Sequence, residues 1–126
     1  MKRLLPPLIA ALTNAPTWAA PGDDEILRIA NASGCMACHQ IDPGANPIAP
    51  AWRDIGARYK SVKGAQQQLT ATIMTGSSAE TIRSTPYQSH WTGKVSGPFM
   101  PSHRVAISEA DAARLVAWIL ALEVTP

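Results

Sequence analysis

The sequence is short of several things that usually declare a function. It has only two cysteines, Cys35 and Cys38, which can make at most one disulfide or one dithiol. A zinc site usually draws four ligands from two paired clusters. The histidines outside the cysteine region, His90 and His103, are remote singles without that pairing. Aromatic residues make up 6% of the chain and charged residues 16%. No apolar run approaches the ~20 residues that a membrane-spanning helix needs. No internal repeat is visible, and no βαβ pattern surrounds the cysteines. At 126 residues the chain is one domain with a marginal core, the kind of scaffold that usually needs a staple.

The chain also lacks a surplus of charge once its beginning is set aside. Lys2 and Arg3 precede an apolar stretch, Leu4 to Leu12, interrupted by Pro6 and Pro7. Small residues follow, with Thr17, Ala19 and Ala20 near a plausible cut. This reads as a cleaved export signal over residues 1–19, with the cut after Ala19 or alternatively after Ala20. An uncleaved membrane anchor is disfavoured by the prolines and the short run. Removing the signal lowers the basic residues from 11 to 9, against 9 acidic. The remaining domain, 20–126, is formally neutral and gives no case for nucleic-acid binding.

What is present is the run Cys35-Met36-Ala37-Cys38-His39. The pattern C-x-x-C-H marks c-type haem attachment. Two thiols one turn apart can each add to one haem vinyl group, and the adjacent His39 can present its imidazole to the iron. A haem tethered in this way supplies the staple, because most of its large apolar surface can be buried. The competing readings are a lone disulfide or a thioredoxin-like dithiol; the histidine and the missing βαβ unit weigh against both.

The rest of the chain predicts helices joined by shaped loops, in keeping with eleven prolines and eight glycines. Asp23 to Ser33 predicts a first helix. Its acidic first turn suits the macrodipole, and Ile26, Ile29 and Ala30 share a face. Gly34 is placed to cap its C-terminus. Residues 40–50 contain Pro43, Pro47 and Pro50 and cannot be regular helix. Such a loop leaves carbonyls free, and one of them is a natural acceptor for the second ring N–H of His39. Ala51 to Tyr59 predicts a short helix with Trp52, Ile55 and Tyr59 on one side. Arg53, Arg58, Lys60 and Lys63 make that region locally basic, either a solvated face or a rim for an acidic partner. Gly64 to Thr75 predicts a further helix ended by Gly76. Residues 77–99 read as a long loop, and long loops inside compact domains are usually functional. Ser108 to Leu122 predicts the clearest helix. Ser108 and Asp111 resemble a capping box, and Trp118 is expected to pack on the first helix.

A sixth iron ligand would decide between chemistries. An open face allows catalysis or gas binding, whereas a closed one favours electron transfer. Met36 lies between the cysteines, and Met74 falls on a helix expected to pack. His90 and His103 lie in loops and could ligate. Met100 is the strongest candidate. It sits in Gly97-Pro98-Phe99-Met100-Pro101, where prolines on both sides stiffen the loop and lower the entropy cost of presenting the thioether. Taken alone, an ordinary buried methionine fits as well. Beside the haem motif and just before the last helix, ligation is favoured, and Met/His ligation raises reduction potential.

Residues 23 to 123 resemble class I cytochromes c, most closely small bacterial monohaem carriers of the c8 type. The matching pieces occur in order: Gly34-Cys35, the Cys35-to-His39 motif, Ala49-Pro50-Ala51-Trp52, Met74-Thr75-Gly76-Ser77, Trp91, the Met100 loop and Ala117-Trp118-Ile119-Leu120. The resemblance implies an all-α class I fold, about four helices and long loops around one covalent haem c. It implies that His39 and Met100 bind iron, that Pro50 accepts the hydrogen bond of His39, that Trp52 lines the crevice, and that Trp91 donates to a haem propionate. It implies a periplasmic single-electron carrier that transforms no substrate and serves unidentified redox partners, as a monomer or as a subunit. The alternatives are a haem c subunit of a periplasmic dehydrogenase or oxidase complex, or an open-site haem enzyme or gas sensor. Two departures stand out. Residues 79–90 look like an insertion relative to the shortest carriers, and the usual lysine-rich docking face is sparse.

Overall fold

The computed structural model describes residues 22–84, 89–97 and 99–123. The export signal therefore lies outside the described residues, as does Pro98. Among the described residues there are five α-helices, one 3-10 turn and no strand.

Helix α1 (Asp23–Ala32) starts with three acidic residues and buries Ile26 and Ala30. It ends at Ser33, after which Gly34 turns the chain in the left-handed region, with φ 78°. A 3-10 turn, Cys35–Ala37, follows at once. It is closed by His39 N–H donating to the Cys35 carbonyl at 3.1 Å. The all-helical prediction holds, and each of the four predicted helices ends within one residue of its expected bounds. They are α1, α2 (Trp52–Tyr59), α3 (Ala65–Thr75) and the C-terminal α5 (Glu109–Ala121).

The core lies where α5 packs on α1, α2 and α3. Ile26 and Ala30 share a cluster with Ala112, Leu115, Val116 and Ile119, which Cys35, Trp52, Ile73 and Ile107 complete. Full burial of each large aliphatic side chain contributes about 1.5–3 kcal/mol. The α2–α5 crossing is close because Gly56 has no side chain. A Cβ there would lie 2.4 Å from the Ile119 carbonyl oxygen. Trp118 packs edge-on to Trp52 and donates its indole N–H to Asp23 at 2.8 Å, tying α5 to α1 as expected. Ser108 does cap α5, accepting from Asp111 N–H at 3.1 Å. The Asp111 carboxylate, however, accepts from Arg114.

Two expectations change. Residues 77–99 are not one irregular loop, for a fifth helix, α4 (Ala79–Ser84), forms inside it. Its first turn is held reciprocally: Ser78 N–H donates to Thr81 Oγ1 at 2.8 Å and Thr81 N–H to Ser78 Oγ at 3.2 Å. This short-range capping needs no hydrophobic periodicity, so a search for periodicity misses it. In the basic stretch around α2, Arg58, Lys60 and Lys63 are exposed, but Arg53 is not simply solvated. Arg53 pairs with Asp42 and donates to the Glu123 carbonyl, tying the proline-rich loop to the C-terminal segment.

Candidate functional site

The proline-rich loop works through its carbonyls. Prolines supply no N–H but keep the acceptor. Pro47 and Ile48 accept from Ser96 and Gly97 at 2.9 and 2.8 Å. Pro50 accepts from His39 Nδ1 at 2.8 Å. A carbonyl can only accept, so Nδ1 carries the hydrogen and Nε2 keeps its lone pair. His39 is stacked on Trp52 with ring centroids 5.9 Å apart. Burial holds the His39 imidazole below its ordinary pKa, the Pro50 hydrogen bond opposes that, and His103 adds a small lowering. The neutral ring is the form that binds a metal.

Cys35 and Cys38 are not joined in a disulfide, and the first is buried while the second is exposed. Burial pushes the Cys35 thiol above its ordinary pKa. Both line a cavity of about 670 Å³, as do His39, Pro50, Trp52, Trp91 and Met100. All seven site residues expected from the sequence therefore face one space. Its size lies within the range of small-molecule and cofactor sites. Leu69, Ile73, Leu115 and Val116 make much of its wall apolar. Two thiols, a ring nitrogen with a free lone pair and a thioether around an apolar space fit a covalently tethered haem.

Met100 is held at both backbone atoms. Its N–H donates to Ser77 Oγ at 2.8 Å, and its carbonyl accepts from Ser77 N–H at 2.8 Å. Gly76, at φ 76°, ends α3 against this segment. A Cβ there would lie 2.7 Å from both the Met100 oxygen and the Ser102 nitrogen. The other ligand candidates separate. His103 also lines the cavity, with Nδ1 donated to the Pro101 carbonyl at 2.9 Å. His90 lies off the cavity wall, paired with Lys94 Nζ at 3.1 Å. Met36 and Met74 pack on the core cluster. Trp91 is on the wall, but its indole N–H goes to the Tyr59 hydroxyl at 2.9 Å, so its contact with a haem would be through the ring or by way of Tyr59.

The family model for cytochrome c matches residues 25–123. The chain belongs to the cytochrome c family. Cytochrome c-551 of Allochromatium vinosum is 34% identical over 112 residues, which cover 89% of this chain and 96% of that protein. Cytochrome c-552 of Nitrosomonas europaea is 34% identical over 95 residues, covering 75% of this chain and 76% of that protein. The crystal structure of Nitrosomonas europaea cytochrome c552 superposes with a TM-score of 0.57 at 32% identity, over 77% of this chain and 99% of that one. As a cytochrome c, the chain carries one covalent haem c and moves electrons without transforming a substrate.

Among this cytochrome's wall residues, Tyr59, Ser77, Ile82 and Arg83 line the cavity without having been assigned to the haem site from the sequence. Tyr59 was legible as part of the apolar side of α2. Ile82 and Arg83 became legible only with α4 itself, whose signal is the Ser78–Thr81 cap.

Proposed function

We propose that this cytochrome c is a periplasmic single-electron carrier in which Cys35 and Cys38 hold the haem and His39 and Met100 hold its iron. The observation that supports this reading most is the convergence of these four side chains on one largely apolar cavity. When bound, the haem supplies an iron that gains or loses one electron. Everything else falls to the chain. Pro50 fixes the tautomer and tilt of His39, which raises ligand basicity and limits ring rotation. Ser77 and Gly76 fix the Met100 backbone, so little entropy is lost in presenting its sulfur. Trp52, Leu115 and Val116 keep water out, and Trp91 with Tyr59 forms a hydrogen-bonded wall. With both ligands retained in both oxidation states, little would rearrange during transfer.

Export follows from residues 1–19, and no described helix is long and apolar enough to cross a membrane. Ile48 and Phe99 line the cavity yet are 48% and 51% exposed. They offer a small apolar contact at the cavity mouth, of the kind suited to brief encounters with redox partners rather than a permanent subunit interface. The test combines two measurements on the exported protein. Its mass should equal the chain from residue 20 plus one haem, and the ferrous form should resist carbon monoxide at neutral pH. A polypeptide without haem mass refutes the attachment, and ready binding of carbon monoxide refutes the closed distal face.

A further inference from the structure

A haem brings two carboxylates into whatever site holds it. The cavity wall of this protein carries one Lys, Arg, Asp or Glu side chain among the described residues, and it is Arg83. Arg83 makes no hydrogen bond or ion pair with any described residue. By contrast, Arg53 and Arg114 are each paired with carboxylates. Arg83 projects from α4, the helix within the stretch that looks like an insertion. That helix also places Ala79 and Ile82 on the cavity wall. The Ser78–Thr81 cap fixes its first turn to the chain immediately after Gly76 and Ser77, the residues that position Met100. The Trp91 N–H, which could otherwise have served an anionic group, is given to Tyr59.

We infer that Arg83 binds a haem propionate and that α4 is a strap over the carboxylate-bearing edge of the haem. This rests on the haem reading above. A planar guanidinium matches a carboxylate with two parallel N–H donors, which a lysine cannot reproduce. The charge also has a redox consequence. Reduction adds one electron to the haem, so a nearby cation favours the ferrous form. Removing Arg83 exposes the propionate charge to the iron and favours the ferric form. Arg83 is a positioning residue that tunes the potential through the carboxylate.

The experiment is redox titration of the holoprotein as wild type, Arg83→Gln, Arg83→Lys and Lys94→Gln. Lys94 is a comparison cation. It lies 6.0 Å from the Trp91 ring but is not on the cavity wall. A unit charge acting across about 10 Å of partly wet surroundings changes a charge equilibrium about three- to fivefold. Arg83→Gln is therefore expected to raise the ferric-to-ferrous ratio about three- to fivefold in solution poised at the wild-type midpoint, where tenfold corresponds to about 59 mV. Arg83→Lys should restore part of the shift, and Lys94→Gln should move the ratio less. The visible spectrum should stay that of the wild type in all three. Equal shifts in Arg83→Gln and Lys94→Gln, or none in Arg83→Gln, overturn the inference while a wild-type spectrum leaves the carrier reading standing. A wild type without the haem spectrum fails the carrier reading first.

Discussion

Substituting Ser77 by alanine should loosen Met100, the proposed distal ligand, without touching its side chain. Ser77 is bonded to Met100 twice, once through its side chain and once through its backbone, each at 2.8 Å. Ser77→Ala keeps the backbone bond but leaves the part-buried Met100 N–H without its acceptor. An unsatisfied buried donor costs about 1–3 kcal/mol. Met100 is partly accessible, so the lower part of that range applies, about 1–2 kcal/mol. The loss falls on the state with the loop in place and is relieved when the loop opens. The open fraction should therefore rise about 5- to 30-fold. An external ligand such as imidazole binds ferric iron only when the sulfur is off, so its apparent affinity scales with that fraction. Titrating the ferric holoprotein with imidazole should show tighter binding by about 5- to 30-fold in Ser77→Ala. Ser77→Thr, which keeps the hydroxyl, should stay near the wild type. An affinity unchanged within twofold in Ser77→Ala would falsify the idea that Ser77 holds the methionine loop.

Other expectations follow from the packing. Gly56→Ala should lower the melting temperature of the holoprotein: forcing the α2 and α5 backbones apart costs about 1–3 kcal/mol, against about 0.5–1 kcal/mol gained in helix propensity. A higher melting temperature, as propensity alone predicts, contradicts the close crossing. Trp118→Phe removes the hydrogen bond to Asp23, and its net loss should lie near the low end of about 0.5–1.5 kcal/mol, read by chemical denaturation; no loss means that the contact does not tie α5 to α1. A double Cys35→Ser, Cys38→Ser chain, which cannot be tethered, should lose most of its helical circular dichroism. Its wall residues include Leu115, Val116 and Ile119 of the core itself, so a fully helical apoprotein contradicts the haem as staple.

The sequence made some features legible because local physics writes them. The acidic start of α1, the glycines after α1 and α3, and the i, i+3, i+4 pattern of α5 each fix an end or a face from nearby residues alone. The cysteine–histidine run marks its site because thioether attachment demands that spacing. Tertiary placement was less visible. Residues 77–99 lack periodicity, and α4 forms through one reciprocal serine–threonine cap, so Arg83 went unnoticed. Nothing local says that Trp91 will give its N–H to Tyr59, 32 residues away. Nor does the row of basic residues near α2 reveal that Arg53 is consumed by Asp42 and the Glu123 carbonyl.

The most direct measurement is a proton NMR spectrum of the ferrous holoprotein, compared with Met100→Ala and His103→Ala. Sulfur ligation by Met100 predicts one methyl resonance driven far upfield by the porphyrin ring current, present in the wild type and in His103→Ala and absent from Met100→Ala. A wild type without that resonance, or one that loses it when His103 rather than Met100 is replaced, contradicts the account.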